Sequence, residues 1–116
     1  MPYVALHTNY PVSDQRKPKL LKYLSKLIQD ELGKPESTVM ISILQPEAMI
    51  FAGDERMAAF VEVKGINLDP NHNTKLCGVI CNAIEQEIGI PSDRIYINFS
   101  NIPGNMWGWN KQIFQK

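Results

Sequence analysis

The chain has 116 residues, 44% of them hydrophobic and 21% charged, a composition that excludes the disordered and fibrous classes. Its 12 basic residues balance 12 acidic ones without a long run of one sign, so we expect neither nucleic acid nor a membrane surface as a partner. No apolar run approaches the roughly 20 residues that span a bilayer, and no signal-peptide pattern opens the chain, which predicts a cytoplasmic protein.

The chain begins with Met1-Pro2, followed by a strand-like run from Tyr3 to Thr8. Removal of methionine before a small residue such as proline would leave a secondary amine at the start of this strand. An N-terminal amine titrates at about 8 in water, and burial or a neighbouring cation favours its neutral form. Pro2 is therefore a candidate general base near neutral pH, although a proline at this position is by itself uninformative.

An amphipathic helix is predicted next, with Ser13 or Asp14 as its candidate cap. Gly33 suits the left-handed position that ends a helix, and Pro35 prevents the helix from resuming before the next strand. Six apolar residues fall on one stripe of this helix: Leu20, Leu21, Leu24, Leu27, Ile28 and Leu32.

The same pattern occurs a second time. Residues 31–43 align without gaps on residues 87–99, and in both copies glycine and then proline separate a helix end from a strand. In the second copy Asp69 is the candidate cap and Pro70 takes the first helical position. The second apolar stripe comprises Leu76, Cys77, Val79, Ile80, Ala83, Ile84 and Ile88.

Lys34 lies in the bend of the first copy, between Gly33 and Pro35. A lysine there can simply complement the carbonyl end of the helix. Its counterpart in the second copy is Ile90, so the turn itself does not require a cation. This difference favours a specific role for Lys34.

The two copies predict an α+β fold made of two β-α-β pseudo-repeats, about residues 1–57 and 58–116, in a single domain. Long helices between paired strands imply parallel pairing and a right-handed crossover, giving a four-stranded sheet with both helices on one face. A short extra strand is expected near residues 49–51. Apolar strand residues suggest that the other face also needs cover, and hence a homo-oligomer: Ile41, Ile43, Val61, Val63, Ile95 and Ile97.

Tyr96 and Asn98 are two positions apart on the last predicted strand and therefore share one face. Asparagine is unusual inside a strand, so its side chain needs a hydrogen-bonding partner. A structural network and a ligand contact are both consistent with this pattern.

The tail holds a dense aromatic cluster, Trp107-Gly108-Trp109-Asn110 and then Phe114. Core packing is the usual role of such residues. Aromatic walls around a few polar groups are also typical of a pocket for a planar substrate, and Trp107 and Trp109 would share one side of an extended segment.

The remaining chemistry-bearing residues predict little. Cys77 and Cys81 lie four apart on the second helix and are expected to be buried thiols. His7 and His72 have no metal-like spacing with cysteines or carboxylates, so no metal site is predicted.

Together these residues make the whole chain resemble the macrophage migration inhibitory factor and D-dopachrome tautomerase family, within the N-terminal-proline tautomerases. The resemblance rests on the order and spacing of six segments: Met1-Pro2, Leu32-Gly33-Lys34-Pro35, Phe51-Ala52-Gly53, Gly65-Ile66, Asp93 through Phe99, and Trp107-Gly108-Trp109-Asn110 through Phe114.

The resemblance implies a homotrimer whose active sites lie at subunit interfaces and need no cofactor. Pro2 and Lys34 would be catalytic, and Lys34 and the Ile66 amide would hold the substrate within one subunit. Tyr96 and Asn98 would reach in from its neighbour. Trp109 and Phe114 would form apolar walls. The implied reaction is keto–enol tautomerisation of an aromatic α-keto acid such as phenylpyruvate, with D-dopachrome as a second substrate.

The sequence also departs from the family pattern. Ala58-Ala59-Phe60-Val61 stands where vertebrate members often carry a CxxC motif, which disfavours thiol-disulfide chemistry. Gly65 and Asn67 replace a common serine and glycine, and Thr38 replaces a common aromatic residue, so the pocket rim and substrate preference are expected to differ.

Two other functions stay open on the sequence. The chain could be a cytokine-like signalling or binding module with a vestigial pocket and a protein receptor as partner, which would require export without a signal peptide. It could also be a structural trimer with an inactive site.

Overall fold

The two sequence repeats fold as two β-α-β units that share one sheet. The computed structural model describes residues 1–114. The sheet has the order β2-β1-β3-β4, and the predicted four strands and two helices are confirmed. The elements in chain order are β1 (Tyr3–Thr8), α1 (Lys17–Leu32), β2 (Met40–Leu44), β3 (Ala59–Gly65), α2 (Asn73–Glu87), β4 (Ile95–Asn101), β5 (Gly108–Trp109) and β6 (Gln112–Ile113).

Strand directions follow from the connections. The helical crossovers make β1 parallel to β2 and β3 parallel to β4, as predicted, because a chain that crosses over through a helix re-enters the sheet in the same direction. The two units meet through antiparallel pairing of β1 with β3, so β1 and β3 are the central strands.

The two glycine turns are confirmed. Gly33 has φ +64° and Gly89 has φ +91°, a region that side chains rarely adopt. The Gly33 N–H donates to Gln29 O at 2.9 Å and ends α1. A short 3₁₀ turn then precedes each following strand, at Glu36–Thr38 and at Ser92–Arg94.

Helix starts were predicted with mixed success. Asp69 caps the second helical segment by accepting the Asn71 N–H at 2.9 Å, and its opening turn is a 3₁₀ helix at Pro70–His72. In the first unit the prediction of a Ser13 or Asp14 cap was wrong. The helix begins after Arg16, and no side chain caps it.

Two smaller elements differ from the prediction. The expected strand near residues 49–51 is absent from the described residues, where only an isolated bridge joins Phe51 to Asp54. The tail instead contains a hairpin of β5 and β6 that the sequence did not reveal. Its turn residues Asn110 and Lys111 have φ +52° and +66°, as a type I′ turn requires, without the glycine that usually marks such a turn.

The core lies on one face of the sheet only. Ile41, Ile43, Val61 and Val63 lie on the helix-covered face, in register with β1 residues whose side chains pack on α1 and α2. Ile95 and Ile97 share that face. These residues were therefore wrongly taken as a sign of two apolar faces, because each strand contributes positions that are two apart.

The opposite, open face mixes polar and exposed apolar side chains. Met40 and Tyr96 are 63% and 62% exposed, and Leu44 and Phe60 are also exposed. Between them the strands present mostly polar residues: His7, Ser42, Glu62, Lys64, Asn98 and Ser100. Within residues 1–114 no helix is both long and apolar enough to cross a membrane.

Candidate active site

Pro2 lies at the start of the central strand β1, between β2 and the end of β3. Its ring is fully buried, and its carbonyl oxygen accepts the Met40 N–H at 3.0 Å. The end of β3 approaches closely, since a Cβ on Gly65 would lie 3.6 Å from the Met1 carbonyl oxygen and 2.9 Å from Leu68 Cδ2. The N-terminus is therefore held from both sides by backbone.

A cavity of about 740 Å³ opens beside Pro2. One wall comes from β2 and the 3₁₀ turn before it, and the other from the aromatic tail. The wall residues are Met1, Pro2, Tyr3, Ser37, Thr38, Val39, Met40, Ser42, Trp107, Gly108, Trp109 and Phe114. Three predicted site residues, Pro2, Trp109 and Phe114, thus line one cavity.

The tail hairpin brings its aromatic residues to this cavity. The Phe114 N–H donates to the Trp107 carbonyl oxygen at 2.8 Å, which closes the chain back on itself after β6. Trp107 is half-buried, whereas Trp109 is 62% exposed. Both tryptophans are among the residues that line the cavity.

Lys34 acts on the N-terminal amine through its charge. Burial lowers the pKa of the Met1 amine below its ordinary value of 8.0, and the positive charge of Lys34 lowers this pKa further. Both effects penalise the protonated amine. Lys34 itself is half-buried and not among the cavity's wall residues, so the structure places it next to the site rather than within its lining.

Ile66 follows β3 directly and is buried. The register of β1 against β3 pairs Tyr3 with Lys64, which brings the residues after β3 alongside the residues before β1. The Gly65 carbonyl oxygen accepts the Ile102 N–H at 2.7 Å, so this corner is tied to the chain beyond β4.

Tyr96 and Asn98 are not brought to Pro2 within one chain. They lie on β4, two strands away from β1, and face the open side of the sheet. Tyr96 pairs with Phe60, which pairs with His7 at the far end of β1. The structure therefore joins five of the seven predicted residues around the N-terminus and leaves these two exposed elsewhere.

Arg94 is a structural residue whose role the sequence did not reveal. It is only 5% exposed, and its guanidinium donates to the carbonyl oxygens of Met57, Arg56 and Phe51 at 2.8 to 3.2 Å. It also pairs with Asp54 at 3.0 Å. The only sequence signal was a charged residue directly before an apolar strand.

Arg94 thereby positions an aromatic pair. Its guanidinium lies 5.1 Å from the centre of the Phe51 ring, and the Phe51 ring packs on Tyr96 with centres 4.9 Å apart. The segment between β2 and β3 is thus fixed against β4. Tyr96, on β4, stays exposed on the open face.

Thiol and metal chemistry receive no support. Cys77 and Cys81 are free and half-buried rather than fully buried as expected. Burial, together with the neighbouring Cys77, raises the pKa of the Cys81 thiol to about 11, which keeps it in the unreactive thiol form. Among residues 1–114 no group of three or more His, Cys, Asp or Glu side chains could hold a metal ion.

Comparison with known proteins gives one consistent result. The sequence model described as "Macrophage migration inhibitory factor (MIF)" matches residues 1–115. Macrophage migration inhibitory factor homologues of Trichinella spiralis and Trichuris trichiura are 31% and 34% identical, and each alignment covers 98% of this chain and 100% of the relative. The crystal structure of the homologue from Prochlorococcus marinus matches with a TM-score of 0.91 at 37% identity, covering 97% of this chain and 98% of that one. The chain therefore belongs to the macrophage migration inhibitory factor family, and the resemblance found in its sequence is confirmed.

Proposed function

We propose that this member of the macrophage migration inhibitory factor family is a keto–enol tautomerase of aromatic α-keto acids such as phenylpyruvate, with Pro2 as its base once Met1 is removed. The observation that carries the proposal is the position of Pro2. It is fully buried at the wall of an aromatic cavity, and the N-terminal amine is close enough to Lys34 for the lysine charge to lower the pKa of the amine.

The surroundings suit a neutral amine. Burial and the Lys34 charge both lower the pKa of the amine at Met1, and the same two effects would act on the secondary amine of Pro2 after Met1 is lost. A pKa below 8.0 leaves more of the amine unprotonated at neutral pH, and only that form can accept a proton.

The proposed reaction moves one proton. The Pro2 nitrogen takes a proton from the carbon next to the ketone, and the electron pair of that C–H bond moves into the enolate. The resulting prolinium then returns the proton to the enolate oxygen. Lys34 and the Ile66 N–H would hold the carboxylate and the developing oxyanion, since fixed donors stabilise charge as it forms.

Aromatic substrates fit the composition of the cavity. The lining combines the aromatic residues Trp107, Trp109 and Phe114 with the hydroxyl-bearing residues Ser37 and Ser42. A planar aromatic acid with one polar end matches such a mixed wall. No step of this mechanism requires a cofactor.

The proposal includes a homotrimer with sites at subunit interfaces. Tyr96 and Asn98 are exposed and two strands away from Pro2 in their own chain. In a cyclic assembly the same residues of a neighbouring subunit could complete each site, because such interfaces join two different surfaces of the chain. The exposed apolar side chains on the open face, Met40, Leu44, Phe60 and Tyr96, also favour association.

The test compares three forms of the protein by phenylpyruvate tautomerisation. We expect the form beginning at Pro2 to be active, and Pro2→Gly and a form retaining Met1 each to lose about 10²-fold or more of kcat/KM. Intact mass identifies each N-terminus. Pro11→Ala, at an exposed proline after β1, is the matched control and should keep full activity.

Equal activity in all three forms would exclude Pro2 as the base. A form beginning at Pro2 that is correctly assembled but without turnover would favour a binding or signalling module over an enzyme.

A further inference from the structure

His7 is the centre of a charged cluster that the proposed tautomerase does not use. It lies on the central strand β1 with its ring on the open face, and its side chain is 21% exposed. The Phe60 ring packs beside it, with centres 6.1 Å apart. The titratable ring therefore lies on a central strand of the sheet, near the end of β1 that is opposite Pro2.

Both ring nitrogens of His7 meet a carboxylate. Nδ1 lies 2.7 Å from Glu47 Oε1, and Nε2 lies 2.6 Å from Glu62 Oε2. A neutral imidazole has one N–H and one lone pair, so it could satisfy only one of these two acceptors. An imidazolium donates from both nitrogens and so satisfies both carboxylates at once.

The charges around His7 balance when it is protonated. Glu62 Oε1 also lies 3.9 Å from Lys64 Nζ, so the order along the cluster is cation, anion, cation, anion. Strand β2 contributes only the uncharged Met40, Ser42 and Leu44 to this face, and β4 contributes Tyr96, Asn98 and Ser100 beyond β3. On β1 itself the other titratable side chain of this face is Tyr3, at the far end of the strand.

The protonation state of His7 follows from these contacts. Burial by itself lowers the pKa of His7, but the hydrogen bonds and charges of Glu47 and Glu62 outweigh it and raise the pKa above its ordinary value of 6.5. The stability that such a group contributes is fully present below its unfolded-state pKa and is lost as the pH rises through its higher folded-state pKa.

The cluster attaches one end of the segment between β2 and β3 to the sheet. Glu47 lies in this segment, and its N–H also donates to the Thr8 carbonyl oxygen at 3.0 Å. The other end is held by Arg94, which donates to the Met57 carbonyl oxygen and pairs with Asp54. Arginine side chains are not deprotonated in proteins. Only the Glu47 end therefore depends on a group that titrates near neutrality.

We propose that His7 is a pH-operated latch that fixes the Glu47 end of the segment between β2 and β3 to the open face and releases it at alkaline pH. Loss of one proton leaves a lone pair facing a carboxylate, and that contact becomes repulsive. The latch does not depend on the tautomerase activity, so either proposal can fail alone.

The first test is ¹⁵N NMR of the His7 ring in the assembled protein. We expect both ring nitrogens to be protonated at neutral pH, with a midpoint above the ordinary 6.5 that falls in Glu47→Gln and in Glu62→Gln. A neutral ring at pH values below 6.5, or a midpoint that neither substitution changes, would overturn the proposal.

The second test is hydrogen exchange at the Glu47 amide, corrected for the intrinsic effect of pH. Protection in the wild type should fall roughly tenfold between about pH 6 and about pH 9, the ratio expected when one charge-assisted hydrogen bond is lost. In His7→Gln it should be low and independent of pH. His72→Gln is the matched control, because it changes the other of the chain's two histidines and should behave as the wild type.

Exchange at amides near Phe51, which Arg94 holds, should stay constant over the same pH range. If the Glu47 amide in His7→Gln showed the same pH dependence as in the wild type, His7 would not be the latch. The NMR titration of the unmodified chain decides the question even if His7→Gln does not fold.

Discussion

The N-terminal amine shows how two modest residue-level effects act in one direction. Burial excludes water from the protonated amine, and Lys34 adds a like charge, so both lower its pKa. The sequence suggested a specific role for Lys34, because this residue occupies a bend whose repeat counterpart is the uncharged Ile90, and the family resemblance implied its pairing with Pro2. The degree of burial could not be predicted, since it depends on β2, β3 and the tail closing around Pro2.

Lys34→Gln tests the electrostatic part of this account. We expect the acidic limb of the pH profile of kcat/KM to move to higher pH, because the amine pKa rises part of the way towards 8.0 while burial, the larger cause, remains. The rate at the optimum should also fall by about 10²-fold through the loss of charge stabilisation. Lys19→Gln, at an exposed lysine on α1, should leave the profile unchanged. A wild-type pH profile in Lys34→Gln would show that the charge of Lys34 does not lower the pKa of the amine.

Arg94 is a residue-scale determinant of stability. Arg94→Met should lower the free energy of unfolding by about 3 kcal/mol or more, because three carbonyl oxygens and Asp54 lose a buried partner. Denaturant titration measures the loss. Arg56→Met is the control, since Arg56 also pairs with Asp54 but is largely exposed, and its loss should cost much less than the loss of Arg94. Equal costs would mean that the carbonyl contacts of Arg94 contribute little.

At the scale of elements, backbone conformation decides whether adding a side chain at two glycines stabilises or destabilises the fold. Gly33 has φ +64°, whereas Gly78 lies in the exposed middle of α2 without a positive φ. A Cβ would meet nothing within 4 Å at either position. Gly33→Ala should therefore destabilise by about 1 kcal/mol through the left-handed conformation, and Gly78→Ala should stabilise by about 0.5 to 1 kcal/mol through helix propensity.

Thermal or denaturant unfolding of the two variants measures both signs in one experiment. If both glycines responded with the same sign, contacts rather than backbone conformation would control them. The turns at Gly33 and Gly89 were predictable because glycine and proline affect the conformation of the backbone directly around them. The hairpin of β5 and β6 was not, because Asn110 and Lys111 adopt positive φ without glycine and their turn is set by the surrounding tail.

At the scale of the whole molecule, the sequence predicted the strands and their pairing better than the two faces of the sheet. Parallel pairing followed from the helical crossovers. The interpretation of six apolar strand residues as a sign of two apolar faces failed, because alternation places Ile95 and Ile97 with Val61 and Val63 under the helices. The open face is instead a mixed surface, and its charged cluster involves residues distant in the sequence, such as His7 and Glu62, which only the register brings together.

An active site shared between subunits predicts that two inactive variants regain activity when they assemble together, which a site within one chain does not predict. Pro2→Gly removes the proposed base, and a Tyr96→Ala, Asn98→Ala double variant removes the side chains proposed to come from the neighbour. Each should be nearly inactive alone. When the two are unfolded and refolded together in equal amounts, random cyclic assembly should restore about a quarter of the wild-type sites, because one chain supplies Pro2 and the next supplies Tyr96 and Asn98. Each variant refolded with itself is the control. A mixture no more active than these controls would exclude a site shared between neighbouring subunits, because β3 separates β1 from β4 within one chain and keeps Tyr96 and Asn98 away from Pro2 there.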